Sequence, residues 1–175
     1  AQSGARLKDF ESAIQWLVAS GLVHQIFRIT KPNLPLGGYQ DNVFKLYFVD
    51  VGLLTAKTGL DVSVLLAGNR LFTEFKGALT EQYVLQQLLV SGLEPIFYWG
   101  LERAVAEVDF VVQHSSQIIP IEVKAEENLK AKSLRSYYDK FKPDKVFRTS
   151  MSDYRKQDWL VNLPLYALAN FRSLE

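Results

Sequence analysis

The stretch from residue 107 to 124 constrains the fold more than any other part of the chain. Glu107-Val108-Asp109-Phe110-Val111-Val112 and Ile118-Ile119-Pro120-Ile121-Glu122-Val123-Lys124 are both rich in strand-forming residues, and a polar turn at His114-Ser115-Ser116 separates them. Side chains alternate across a strand, so Glu107, Asp109 and Val111 are expected on one face and Val108, Phe110 and Val112 on the other. In the second segment Ile119, Ile121 and Val123 form the buried face, which leaves Glu122 and Lys124 together on the opposite one. If the two strands pair through the turn near Ser115, Asp109 and Glu122 come from neighbouring strands and their carboxylates can converge on a single cation.

The flanking sequence supplies the layers such a hairpin needs. Phe72 to Val90 has the helical period and ends at Ser91-Gly92, and Pro95 to Trp99 reads as a strand. Glu126 to Phe141 is a predicted helix with Leu129, Leu134, Tyr137, Tyr138 and Phe141 apolar, and Lys145 to Thr149 is a short strand. This order implies an α/β fold, a mixed sheet flanked by helices. Upstream, Asp9 to Ser20 carries Phe10, Ala13, Ile14, Leu17 and Val18 at helical spacing, with Gly21 as its stop. Leu22 to Thr30 and Phe44 to Val49 read as strands around a turn-rich stretch containing Pro32, Pro35, Gly37 and Gly38. Helix, strand, long turn, strand is the closing half of a winged helix. A small partial winged-helix unit with a linker is therefore expected over residues 1–66, and the main domain over 67–175. Asp50 to Leu66, interrupted by Gly52 and Gly59, is read as the linker.

Composition narrows the function classes. With 48% hydrophobic and 22% charged residues the chain can bury a full core. Its 20 Lys and Arg against 19 Asp and Glu leave a formal charge of +1, so no global field draws nucleic acid, and any such contact must be local. The lack of cysteine removes thiolate zinc sites, disulfides and thiol nucleophiles and fits a reducing cytoplasm. No apolar run approaches the roughly 20 residues that span a bilayer, so no membrane partner is expected. No Gly-rich loop ending in Lys-Ser or Lys-Thr offers an ATP site. The opening Ala1-Gln2-Ser3-Gly4 reads as the start of a piece cut from a longer protein. His24 and His114 lie in different units and support neither a histidine metal site nor a Ser-His-Asp triad. Trp16, Trp99 and Trp159 have no useful spacing and are expected to pack in the core.

Paired carboxylates make a hard-oxygen site. Magnesium or manganese prefers carboxylate and water ligands, polarises a phosphoryl oxygen and lowers the pKa of a bound water. Lys124, two residues past Glu122, is placed to steady that water or the charge developing on phosphorus. Glu81 adds an independent acid: it shares a helical stripe with Ala78, Leu85 and Leu88, faces the core, and therefore needs a partner. Asp109, Glu122 and Lys124 are thus the candidate catalytic residues, and Glu81, Asp109 and Glu122 the candidate metal ligands, for Mg²⁺ or Mn²⁺. Glu107 is either a second acid of the site or the partner of Arg103. Lys130, Lys132 and Arg135 could meet phosphates, but Glu126, Glu127 and Asp139 dilute them to a mixed solvated face.

Glu81 in a first helix, Asp109 in a strand and Glu122-Val123-Lys124 in the next resemble the signature of the PD-(D/E)xK nuclease superfamily. A closer resemblance is to a C-terminal domain of unknown function (DUF4143) of bacterial and archaeal AAA-type ATPases. Lys45-Leu46-Tyr47-Phe48-Val49-Asp50-Val51-Gly52-Leu53 is similar to its opening and Gly77-Ala78-Leu79-Thr80-Glu81 to its helix. Glu107 to Val111 and Pro120 to Lys124 are similar to its core. The resemblance spans about residues 40 to 150, and the amino-terminal helix is similar to the winged-helix tail preceding that domain. In one departure Val108, not proline, precedes Asp109. The resemblance implies a restriction-endonuclease-like core and a nuclease-like, nucleic-acid-binding module. The N-terminal ATPase portion would be its partner, and Mg²⁺-dependent phosphodiester hydrolysis its chemistry. The alternative, which near-neutral charge favours, is a catalytically inactive nuclease fold that serves as a homodimerisation or protein-docking module for the ATPase. A transcription regulator acting through the winged helix is a third reading, weakened by the missing recognition-helix half.

Overall fold

Eight strands form one mixed sheet in the order β2-β1-β3-β4-β5-β6-β8-β7. They are β1 (Val23–Ile29), β2 (Gln40–Phe48), β3 (Ile96–Gly100), β4 (Glu107–His114), β5 (Gln117–Val123), β6 (Phe147–Ser150), β7 (Arg155–Lys156) and β8 (Val161–Pro164). The computed structural model describes residues 7–61, 63–64, 73–101, 106–125 and 131–173. β4 and β5 are the expected antiparallel hairpin, closed at Ser115-Ser116, with pairs running from His114↔Gln117 to Phe110↔Ile121. β6 then runs parallel to β5, and β8 parallel to β6. At the other end β1 lies between β2, its antiparallel partner, and β3, which it parallels. The amino-terminal hairpin thus shares a sheet with the acid-bearing one.

Helices cover both faces because both faces are apolar. On one, Val84, Leu85 and Leu88 of α3 (Thr73–Val90), with Leu168 and Phe171 of the 3-10 segment Leu165–Ser173, pack on Ile26, Phe110, Val112, Ile119 and Ile121. On the other, Leu134 and Tyr137 of α4 (Lys132–Phe141) pack on Ile29, Phe97, Trp99, Val108 and Val111. The Trp99 ring meets those of Tyr137 and Phe141 edge-on at 5.1 and 5.6 Å. Each side chain fully withdrawn from water on either face contributes about 1.5–3 kcal/mol, so the sheet is clamped from both sides.

Three expectations need correction. Alternation fails once in β4: Phe97↔Val111 is followed by Trp99↔Val108, so Asp109 and Phe110 together oppose the single residue Tyr98. This β-bulge turns Val108 to the same core as Val111, while Phe110 and Val112 lie in the other. Next, Val51–Thr58, read as linker, folds as helix α2, because the Asp50 side chain accepts from the Leu53 amide at 2.7 Å and Gly59, at φ 66°, caps the far end. Finally, α1 (Glu11–Ala19) buries Ile14 but leaves Trp16 67% exposed, since two residues on a helix point to different sides. Trp99 is fully buried, as a core tryptophan should be. Leu66, Phe72 and residues 126–130 of the expected last helix lie outside the described residues. Among the described residues no helix is long and apolar enough to cross a membrane.

Candidate functional site

Four elements deliver charged side chains to one region. Helix α3 is fixed above β2 by the buried Gln82, whose Nε2 donates to the Phe48 carbonyl at 2.6 Å. That anchor carries Glu81, the preceding residue, to Tyr47 on β2, whose hydroxyl donates to Glu81 Oε2 at 3.1 Å. Leu85 and Leu88 are fully buried as their stripe requires, whereas the Glu81 side chain stays 30% exposed at its margin.

The hairpin supplies the rest. Glu122 on β5 is buried; its Oε1 accepts from Lys124 Nζ at 2.6 Å, and its Oε2 has no hydrogen-bond partner among the described residues. The Lys124 amide donates to the Thr149 carbonyl at 2.9 Å, which fixes the end of β5 against β6. Asp109 sits in the bulge, one step beyond the Phe110↔Ile121 pair, and its Oδ2 accepts from the Val123 amide at 2.7 Å. The Asp109 carboxylate thus reaches across to β5 just beyond the last pair of the ladder.

Electrostatics tie these groups together. Burial, then the charges of Glu81 and Glu122, push the Asp109 carboxyl up to about 8, against the pull of the Val123 amide and Lys45. Burial also raises Glu122; the Lys124 hydrogen bond and charge oppose the shift, and Glu81 and Glu107 add to it. Burial and the charge of Glu81 likewise raise the Tyr47 hydroxyl.

Sequence reasoning missed Lys45 and Tyr47. Lys45 Nζ donates to Glu107 Oε1, stands 3.9 Å from Glu81 Oε2, and lies 5.0 Å over the Tyr98 ring. Burial alone would lower this ammonium, but the Glu107 hydrogen bond and the charges of Glu81, Glu107 and Asp109 outweigh it and raise it. The available signal was their two-residue spacing in a strand, which puts both on one face. Glu107, with two readings from sequence, is held by Lys45; Arg103 lies outside the described residues. So does Lys130, while Arg135 pairs with Asp139 at 3.0 Å on an exposed helix face.

Four acidic side chains, Glu81, Glu107, Asp109 and Glu122, and two ammonium groups, those of Lys45 and Lys124, share the region. Among the described residues no three acidic or histidine side chains converge closely enough to hold a metal ion by themselves. The acids are neighbours rather than a closed cage. A cleft of about 490 Å³, lined by Arg28, Val43, Tyr98, Gly100, Leu101, Ala106 and Glu107, reaches only Glu107 of these acids.

A family model for a domain of unknown function (DUF4143) matches residues 76–168, just over half of the chain, including Glu81, Asp109, Glu122 and Lys124. The chain belongs to the DUF4143 family. A second model, also a domain of unknown function (DUF8612), matches residues 1–63. No curated protein and no solved structure matches the chain. In this DUF4143 protein the four candidate residues therefore come from one family segment, whereas Lys45 and Tyr47 come from the segment before it.

Proposed function

We propose that this protein is the nuclease-like, nucleic-acid-binding module of a cytoplasmic ATPase, with metal-dependent phosphodiester hydrolysis as its chemistry. The observation that carries the reading is the hairpin end, where Asp109 and Glu122 lie on adjacent strands with Lys124 hydrogen-bonded to Glu122 and Glu81 within electrostatic reach. A mixed sheet covered by helices, with an antiparallel hairpin bearing the acids and a parallel strand beside it, agrees with a restriction-endonuclease-like core. The amino-terminal helix and hairpin would be the remnant of a winged helix ahead of it.

The residues fit Mg²⁺ or Mn²⁺. All the acids offer hard oxygen, Glu122 Oε2 is buried without a hydrogen-bond donor among the described residues, and burial, with the charges of Glu81 and Glu122 that a cation would offset, raises the Asp109 carboxyl. Such ions are commonly bound through one or two carboxylates with the remaining positions filled by water, so a cage of three acids is not required. Asp109 and Glu122 would hold the ion, with Glu81 reaching it directly or through water. When bound, it supplies Lewis acidity and a water acidified towards neutral pH. Lys124 would steady the attacking water and offset the charge that develops on phosphorus as the bond to the leaving oxygen breaks.

The test is incubation with single- and double-stranded DNA and RNA in Mg²⁺ and Mn²⁺, alongside Asp109→Ala and Lys124→Ala variants confirmed to be folded. The wild type should cut, and each variant should lose on the order of 100-fold or more in rate. No cleavage, no retention of nucleic acid at low salt and no stabilisation by Mn²⁺ would sink the reading. A second reading, an inactive fold that docks or dimerises, is favoured by the exposed Val43 and Leu46 on the edge strand β2. Mass in solution and binding to the ATPase portion distinguish the two.

A further inference from the structure

The acid cluster contains a cation that its own family segment does not provide. Glu81, Glu107, Asp109, Glu122 and Lys124 all lie within residues 76–168, whereas Lys45 lies on β2, within residues 1–63. From there a single ammonium binds a strand acid, Glu107, and approaches a helix acid, Glu81, while the Tyr47 hydroxyl fastens that same helix acid. The Lys45 side chain is 26% exposed, and its ammonium lies 5.0 Å from the centre of the Tyr98 ring. A divalent cation held among these acids would be repelled by that ammonium in a partly buried site.

We propose that Lys45 is the resident counter-cation of the acid cluster, whose ammonium pairs with Glu107, faces Glu81 and has to swing aside when a divalent cation binds. The site is then composite, completed by the segment outside the DUF4143 match, and Lys45 sets its metal affinity. This rests on the metal-site reading above. A lysine with a purely structural role makes a different prediction: removing it loosens the carboxylates and weakens metal binding. A competing ammonium predicts the opposite sign.

The experiment is calorimetric titration of the whole 175-residue chain with Mn²⁺ alone, for the wild type, Lys45→Met, Lys45→Arg and Glu122→Gln, each checked by thermal melting. Lys45→Met should tighten Mn²⁺ binding about tenfold, Lys45→Arg should stay within about twofold of the wild type, and Glu122→Gln should weaken binding. If the wild type binds and Lys45→Met binds equally or more weakly, the counter-cation role is overturned while the metal site survives. If none of the four proteins binds Mn²⁺, both fall together.

Discussion

Asp109 is an acid whose proton the fold holds more tightly than the unfolded chain does. A carboxyl near 3.9 in the unfolded chain and near 8 in the folded one binds its proton more tightly in the native state. Its contribution to stability is therefore complete below the unfolded value and is lost as the pH rises through the folded value, from about 4 to about 8. Asparagine keeps the acceptor for the Val123 amide and removes the charge. Asp109→Asn should thus match the wild type near pH 4 and exceed it at pH 9 without metal, by several degrees in melting temperature. Thermal melts across that range check it. A difference between the two proteins that does not change with pH would show that burial and the neighbouring acids do not govern this residue.

Elements here are delimited by single residues whose roles depend on context. Gly52 and Gly59 look like breaks, yet Gly59 ends α2 from the left-handed region and Asp50 opens it by accepting from the Leu53 amide. Asp50→Ala should cost about 1 kcal/mol, and Gly59→Ala about 1 kcal/mol by forcing a Cβ into the left-handed conformation, both measured by urea unfolding. Unchanged midpoints would mean that packing of α2 on α3, rather than its caps, maintains the helix. The bulge in β4 is the opposite case. No glycine or proline marks it, and it follows from how β4 registers against β3, with Asp109 and Phe110 sharing Tyr98.

At the scale of the molecule, β1 joins the amino-terminal region to the rest. It pairs with β2 on one side and β3 on the other, so cutting the chain near residue 70 would strip β3 of its neighbour and expose Ile96 and Phe97 beside an open strand edge. A piece covering 70–175 should aggregate or lose its cooperative melt, as gel filtration and circular dichroism would record; a monomeric, cooperatively melting piece would establish that the carboxyl-terminal part folds alone. The sequence by itself determined the strands and helices with clear periodicity, the β4–β5 hairpin, and the placing of Asp109 and Glu122 on adjoining strands, because those depend on short-range alternation and one turn. It gave no sign of β7, β8 or the last 3-10 segment, whose few residues carry little periodicity. Only the tertiary structure decided that β1 runs beside β3, that a bulge divides the apolar residues of β4, and that Lys45 and Tyr47 meet Glu81 and Glu107. Those contacts join residues 34 to 62 positions apart, and no local pattern encodes which distant partner a charged strand residue will find.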